Sequence, residues 1–230
     1  MNRLSGLLII LQFYSSLALA NGDDSIAYIE QLLSEGKKVA ILVIDMQPKY
    51  DRVFMVSEKQ RVIKEQIKLI NHFADNESVH FIDVRWRGGG ETLPDLLFEM
   101  MKSKQYQIFL KSTKGAFDQR VQLQDPDSAQ GVIQGELAPA LLKEKVTDVV
   151  PIGCFDAQCV LETAKGASRD FQVTADRDLN IMFENEAEDW PERTLKMYKN
   201  AFDYQWQKAM KECPDLQLVP KSDKAKEKCE

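Results

Sequence analysis

An excess of basic charge is missing from this chain. Thirty Lys and Arg stand against 36 Asp and Glu, a net charge of −6 over 230 residues. Neutralising a phosphate backbone needs a basic face, so the acidic balance argues against a nucleic-acid partner. A long unbroken apolar run is missing as well. The first candidate, "LLIILQFYSSLALA" from Leu7 to Ala20, is interrupted by Gln12, Ser15 and Ser16 and fits a membrane span poorly. No internal repeat is visible. The glycine-rich "RWRGGG" lacks the surrounding pattern of a nucleotide-binding fingerprint and reads as a flexible loop.

What is present starts at the N-terminus. Arg3, the short apolar run and an Ala18-x-Ala20 site have the form of a secretory signal peptide over residues 1–20. Cleavage there leaves 230 − 20 = 210 residues, exported to the periplasm or secreted, with no membrane attachment. With 44% hydrophobic residues, the remainder suits one globular domain over 21–212 and a charged tail over 213–230. Export makes the four cysteines informative, because thiols outside the cytosol tend to pair. Cys213 and Cys229 bracket the Lys- and Glu-rich end, where a disulfide would close a short loop and contribute about 3 kcal/mol. Two unpaired thiols in a disordered tail are the alternative.

Helical and strand-like segments alternate along the domain. Asp24 to Leu33 reads as a helix, and Val39 to Ile44 is a continuous apolar run, as in a strand buried on both faces. Ser57 and Gln60 form a capping box ahead of a helix whose inner face is Ile63, Ile67, Ile70 and Ala74. Strands follow at 79–84, 106–111, 147–153 and 171–175, separated by helices over 91–102, 136–145 and 157–169. Asp189 with Glu192 opens a last amphipathic helix carrying Leu195, Tyr198, Phe202 and Ala209. The polar stretch 118–135 is too long for a tight turn and is expected to cover something. This alternation predicts βαβ units and a mainly parallel sheet with helices on both faces.

In such sheets reactive groups collect beyond the carboxyl ends of the strands. Asp45 ends the first strand, Lys111 the third, and the Gly153–Cys159 turn follows the fourth. A thiol attacks as thiolate, and an ordinary cysteine with a pKa near 8.5 is only about 3% ionised at pH 7. Lowering that pKa by two units needs about 2.7 kcal/mol. One ammonium at about 4 Å supplies roughly 4 kcal/mol at an effective dielectric near 20. Lys111 is therefore expected to lower the thiol pKa, and Asp45 to accept its proton. Cys159 is the better nucleophile candidate, since Asp156 is placed to cap the following helix and leaves Cys159 in its first turn. Cys154 lies in the turn and is expected to pack.

Three stretches, "ILVIDMQ", "KSTKGAF" and "GCFDAQCVLETAKGA", together resemble the isochorismatase-like cysteine hydrolase superfamily over roughly residues 38 to 185. The matching positions are Asp45, Lys111 with Phe117, and Gly153 with Cys159-Val160. The resemblance implies a three-layer α/β/α Rossmann-like fold and a catalytic triad of Asp45, Lys111 and Cys159. It also implies a non-proline cis peptide at Cys154–Phe155 and an oxyanion hole from the backbone N–H groups of Phe155 and Cys159. Gln47, Tyr50, Trp86 and Phe117 are the side chains expected to line the pocket. The nicotinamidase branch carries a metal site with an Asp-x-His and a further His. Here Asp83 lacks that partner and both histidines, His72 and His80, read as structural, so no metal and no cofactor are expected. Other departures are Asp156 where a hydroxyl residue is common, Gly115 where Ser is common, and Pro48-Lys49-Tyr50 after the Asp-Met-Gln. Pro151 is also unusual for a central strand.

Taken together these features predict an exported, metal-independent cysteine hydrolase that cleaves a C–N bond of a small amide or ureido compound through a thioester. A catalytically silent binding module on the same fold is the alternative, and a redox pair of Cys154 and Cys159 ranks last. A small-molecule substrate is the expected partner, with homo-oligomerisation left open.

Overall fold

The computed structural model describes residues 22–121 and 131–220. The expected signal peptide, Cys229 with its pairing to Cys213, and the middle of the 118–135 stretch lie outside the described residues. The chain runs α1 (Gly22–Ser34), β1 (Val39–Ile44), α2 (Pro48–Asp51), α3 (Val56–Phe73), β2 (Val79–Trp86), α4 (Pro94–Met100) and β3 (Tyr106–Lys111). It continues through β4 (Arg120–Val121), β5 (Gly135–Glu136), α5 (Leu137–Lys143), β6 (Asp148–Cys154), a π-helical turn (Asp156–Val160) and α6 (Leu161–Ala167). The described part ends with β7 (Gln172–Ala175), β8 (Asn180–Ile181), α7 (Glu192–Glu212) and β9 (Leu216–Leu218).

The main sheet has the order β3-β2-β1-β6-β7-β9, with β8 paired to the end of β6, and its pairings are parallel. Successive residues of β1 face opposite layers, which is why the run is apolar throughout. Val39, Ile41 and Val43 pack with α1, α3 and α4, whereas Ala40, Leu42 and Ile44 pack with α5, α6 and α7. The chain winds outward from β1 to β3 and returns to place β6 on the other side of β1. The carboxyl ends of β1 and β6 therefore flank the point where the winding reverses, the place where an α/β sheet leaves a crevice.

Pro151 is tolerated for a local reason. Leu42 of β1 stands opposite it, but on the other edge of β6 the pairing to β7 covers only Asp148 and Val149, and that to β8 only Gly153 and Cys154. The missing N–H falls in the gap between the two. Gly153 is equally constrained. Its φ is 132°, and a Cβ there would lie 2.7 Å from Ile44 N and closer still to the Ile44 carbonyl oxygen.

Two expectations for the helices are corrected. α3 starts at Val56 and makes no Ser57 capping box; the N–H groups of Val56 and Ser57 donate instead to Glu188 Oε1, at 2.6 and 3.2 Å. A remote carboxylate satisfies these first-turn donors and suits the positive end of the helix. The inner face of α3 is also rotated by one position, with Val62, Gln66, Leu69, Ile70 and Phe73 buried and Ile63 and Ile67 only partly so. In α7, Trp206 is fully buried, an anchor that the sequence pattern missed, while Tyr198 stacks on Trp190 at 4.8 Å.

Replacing Gly153 with Ala is expected to destabilise the protein by about 3 kcal/mol or to prevent folding, through overlap and a strained φ together. Glu188→Ala should cost about 1 kcal/mol as a lost cap. Urea denaturation curves measure both, and an unchanged midpoint for Gly153→Ala would contradict the close approach of β1 and β6.

Candidate active site

The first strand ends one residue before Asp45, whose φ of 55° turns the chain out of the sheet while its N–H still bonds the Val84 carbonyl at 2.8 Å. Lys111 ends β3, which is separated from β1 by β2. Spanning two strand spacings of roughly 4.8 Å each needs a long side chain. The lysine reaches across, and its Nζ lies 2.6 Å from Asp45 Oδ2. Both side chains are shut away from water, Asp45 at 1% exposure and Lys111 at 0%. The ammonium also donates to the carbonyls of Thr113 and Lys114, at 3.3 and 3.1 Å, and lies 4.9 Å from the centre of the Trp86 ring. These contacts replace the water that a buried ammonium loses.

Cys159 lies in the π-helical turn that follows β6, in interaction with both Asp45 and Lys111. The three heads thus converge at one rim of the sheet. Burial pushes the Cys159 thiol up to about 11, the Asp45 charge adds to this, and Lys111 opposes it. The expectation that Lys111 lowers the thiol pKa is therefore corrected, because desolvation and a nearby carboxylate outweigh one ammonium that is already paired. Burial likewise raises the Asp45 carboxyl against the pull of Lys111. Cys154 is a different thiol. It is fully buried, donates to the Asp45 carbonyl at 3.1 Å, and is pushed well up by burial. Both cysteines are free thiols.

The Cys154–Phe155 peptide is cis. The Phe155 carbonyl accepts the N–H groups of Gln158 and Val160, at 3.0 and 3.3 Å. Asp156 does not cap the helix as expected. Phe155 holds the cap position, and Asp156 is turned inside, where its carboxylate pairs with Arg177.

The expected pocket residues separate into two groups. Trp86 covers Lys111, and Tyr50 meets Phe155 edge to face at 6.5 Å. Lys49, one of the departures from the family pattern, sits between them, 5.5 Å from the Tyr50 ring centre and 5.9 Å from that of Trp86. Gln47 and Phe117 are engaged elsewhere. The Gln47 amide is fully buried, receives the Trp86 N–H at 2.7 Å and donates to the Trp86 and Gly90 carbonyls. It ties down the "RWRGGG" loop, and a Cβ on Gly89 would lie 2.7 Å from the amide, so a larger residue there would have to displace it. Phe117 packs on Phe171 at 5.9 Å and on Gly166 of α6.

Asp83 tests the metal site of the nicotinamidase branch. One of its carboxylate oxygens takes Arg85 and the Tyr106 hydroxyl, at 2.7 and 3.0 Å, and the other takes the Thr92 hydroxyl. No histidine stands two residues after Asp83, and a cation there would face the Arg85 guanidinium. The residues present do not fit a metal. Among the described residues, no group of three His, Cys, Asp or Glu side chains could hold one. His72 bonds Glu30 at 2.8 Å, and His80 is buried within β2, where burial lowers its pKa.

Alkylation of Cys159 by iodoacetamide should show a midpoint near pH 11 in the free protein, above that of an ordinary thiol. Asp45→Asn should lower this midpoint by removing a negative neighbour, and Lys111→Met should raise it further. Site-resolved mass spectrometry across pH measures all three, and a wild-type midpoint below about 8.5 would overturn the electrostatic picture.

No family model and no curated protein matches the sequence. Solved structures do match. A nicotinamidase from Bacillus subtilis aligns with TM-score 0.52 and 17% identity, over 80% of this chain and all (100%) of that one. A hypothetical protein from Trypanosoma cruzi aligns with TM-score 0.50 and 16% identity, over 84% and 82% of the two chains. An isochorismatase-like hydrolase from Alkaliphilus metalliredigens aligns with TM-score 0.49 and 19% identity, over 73% and 91%. This chain has the α/β fold that it shares with the nicotinamidase, a parallel sheet between two helical layers with Asp45, Lys111 and Cys159 at its carboxyl rim.

Proposed function

We propose that this protein is an exported, metal-independent cysteine hydrolase that cleaves the C–N bond of a small amide or ureido compound. The observation that carries the proposal is the convergence of a carboxylate, an ammonium and a thiol at the switch point of the sheet. One neighbour on this fold, the Bacillus subtilis nicotinamidase, is a hydrolase by name, which supports the same class.

A thiol with a pKa of about 11 is ionised to only about one part in 10⁴ at pH 7, so attack cannot wait for a free thiolate. The proton must leave as the bond forms. Cys159 Sγ attacks the substrate carbonyl carbon while its proton passes to Asp45, and the carbonyl oxygen becomes an oxyanion facing the N–H groups of Phe155 and Cys159. One such donor is worth about 3 kcal/mol. The intermediate collapses, Asp45 returns the proton to the departing nitrogen, and a thioester remains on Sγ. Water then attacks the thioester, giving its proton to Asp45, and the acid leaves as Cys159 regains its hydrogen. Lys111 keeps Asp45 able to ionise against the burial that disfavours its charge.

The closed setting of Lys111 under Trp86 supports the second reading, a binding module, in which the covered site holds a ligand without turnover. An acyl adduct separates the two. Incubation with a library of small amides and ureides, followed by acid quench and intact mass, should reveal a mass increase on Cys159. Cys159→Ala should abolish both adduct and turnover, by at least about 10³-fold. Absence of any adduct or turnover across the library, with a thiol that still alkylates, favours the binder.

The pH dependence has a worked sign. Asp45 must be ionised to accept the proton, and its pKa is raised, so kcat/KM should fall as pH drops through a value above the ordinary aspartate range. Lys111→Met removes the charge that opposes this rise and should move the acid limb to higher pH.

A further inference from the structure

The Asp156 carboxylate is fully buried three residues before Cys159, and the catalytic chemistry does not use it. It nonetheless has three donors from three later parts of the chain. Asn180 Nδ2 reaches Oδ1 at 3.0 Å, while Arg177 Nε and Trp206 Nε1 reach Oδ2 at 2.9 and 3.1 Å. Arg177 also pairs through Nη1 with Asp203 on α7, and Trp206 is itself a fully buried residue of α7. A Ser or Thr hydroxyl, with two lone pairs and one hydrogen, could not accept from all three at once.

Asn180 makes the arrangement more specific. Its Oδ1 accepts the Gly153 N–H at 3.0 Å while its Nδ2 donates to Asp156. One amide thus ties the end of β6 to the start of the π-helical turn, and the segment between them, Cys154 and Phe155, carries the cis peptide. Both flanks of the Phe155 N–H are held from behind. Burying a carboxylate and a guanidinium together is seldom favourable for stability alone, since desolvation offsets much of the attraction. The groups facing Asp156 are Arg177, Asn180 and Trp206, with Asp203 behind Arg177. Burial, Asp45 and Lys111 are the principal causes of the Cys159 shift, and the contacts of Asp156 run to the frame of the turn.

We infer that Asp156 is a positioning residue, holding the turn that bears the nucleophile and its oxyanion donors against β8 and α7 through Asn180, Arg177 and Trp206. The inference rests on the hydrolase reading for its consequence, but its geometry stands apart from it. Asp156→Asn keeps the size of the side chain while presenting an N–H₂ to one of the three donors, so at least one contact is lost.

Two reagents separate positioning from reactivity. Iodoacetamide needs only the thiol. 4-Nitrophenyl acetate needs the oxyanion donors as well: Sγ bonds to the acetyl carbon, the aryl ester C–O bond breaks, nitrophenolate leaves, and the thiol proton passes to Asp45. With Cys159→Ala as background, Asp156→Asn should slow acetylation by about 10- to 100-fold, the range expected for misplaced catalytic groups. Alkylation should stay within about twofold, with little shift of its pH midpoint, because the principal causes of the thiol's shift, burial, Asp45 and Lys111, are all retained. Trp206→Phe, which removes one donor and leaves the carboxylate, should give a smaller drop of the same kind and serves if Asp156→Asn does not fold. Equal loss of both reactions, or loss of neither, overturns the inference. If the wild type alkylates but is never acetylated, the hydrolase reading falls, and hydrogen exchange decides this one. Faster exchange at residues 155–160 in the variants, with β1 and β2 unchanged, upholds it; unchanged protection there overturns it.

Discussion

A carboxylate and an ammonium 2.6 Å apart, both removed from solvent, set the conditions for everything near them. Neither charge is tolerable alone at that depth, so each fixes the other's surroundings. Lys111 comes from β3, two strands away from β1, and its long side chain carries the ammonium back to Asp45. The loop after it must fold back so that the Thr113 and Lys114 carbonyls take the remaining ammonium hydrogens. Trp86, on the intervening strand, must lie over the ammonium, and the Gln47 amide secures the loop that follows Trp86. A single ion pair thus organises the carboxyl ends of three strands.

The same pair decides the character of the two cysteines. Cys154 and Cys159 are five residues apart, yet one lies entirely within the core beneath Asp45 and the other faces the charged pair. Cys154 has a carbonyl for its hydrogen and no open side. Cys159 has a base at hand and a thiol held protonated by burial and by that base's own charge. Such a resting state suits a nucleophile that loses its proton only when a substrate arrives. It also leaves very little thiolate for oxidants to attack.

Much of the frame was legible in the residues. The unbroken run Val39–Ile44 announced a strand covered on both faces, and the alternation around it announced the parallel sheet. That Asp45, Lys111 and Cys159 come together follows from strand ends, which are readable and which meet at one rim. The errors share a cause. Ser57 resembled a cap, but Glu188, 131 positions later, holds the first-turn donors. Periodicity points to Ile63 and Ile67 for the inner face of α3, yet Val62, Gln66 and Leu69 occupy it, because the neighbouring α1 and α4 determine which stripe is covered. Residue type points Gln47 and Phe117 to the pocket, but their partners lie in a loop and a helix that no local pattern specifies.

The sequence by itself determined what depends on short range: which segments are strands, where each ends, and which reactive side chains stand at those ends. Periodicity and chain termination are properties of neighbouring residues, and they survive without knowledge of the rest. Only the tertiary structure decided the rest: the ionisation of Cys159, the reach of Lys111, the inward turn of Asp156 toward Arg177, Asn180 and Trp206, and the place of Pro151 between two partial pairings. These depend on burial and on partners far away in the chain, and desolvation has no value until the surrounding atoms are in place.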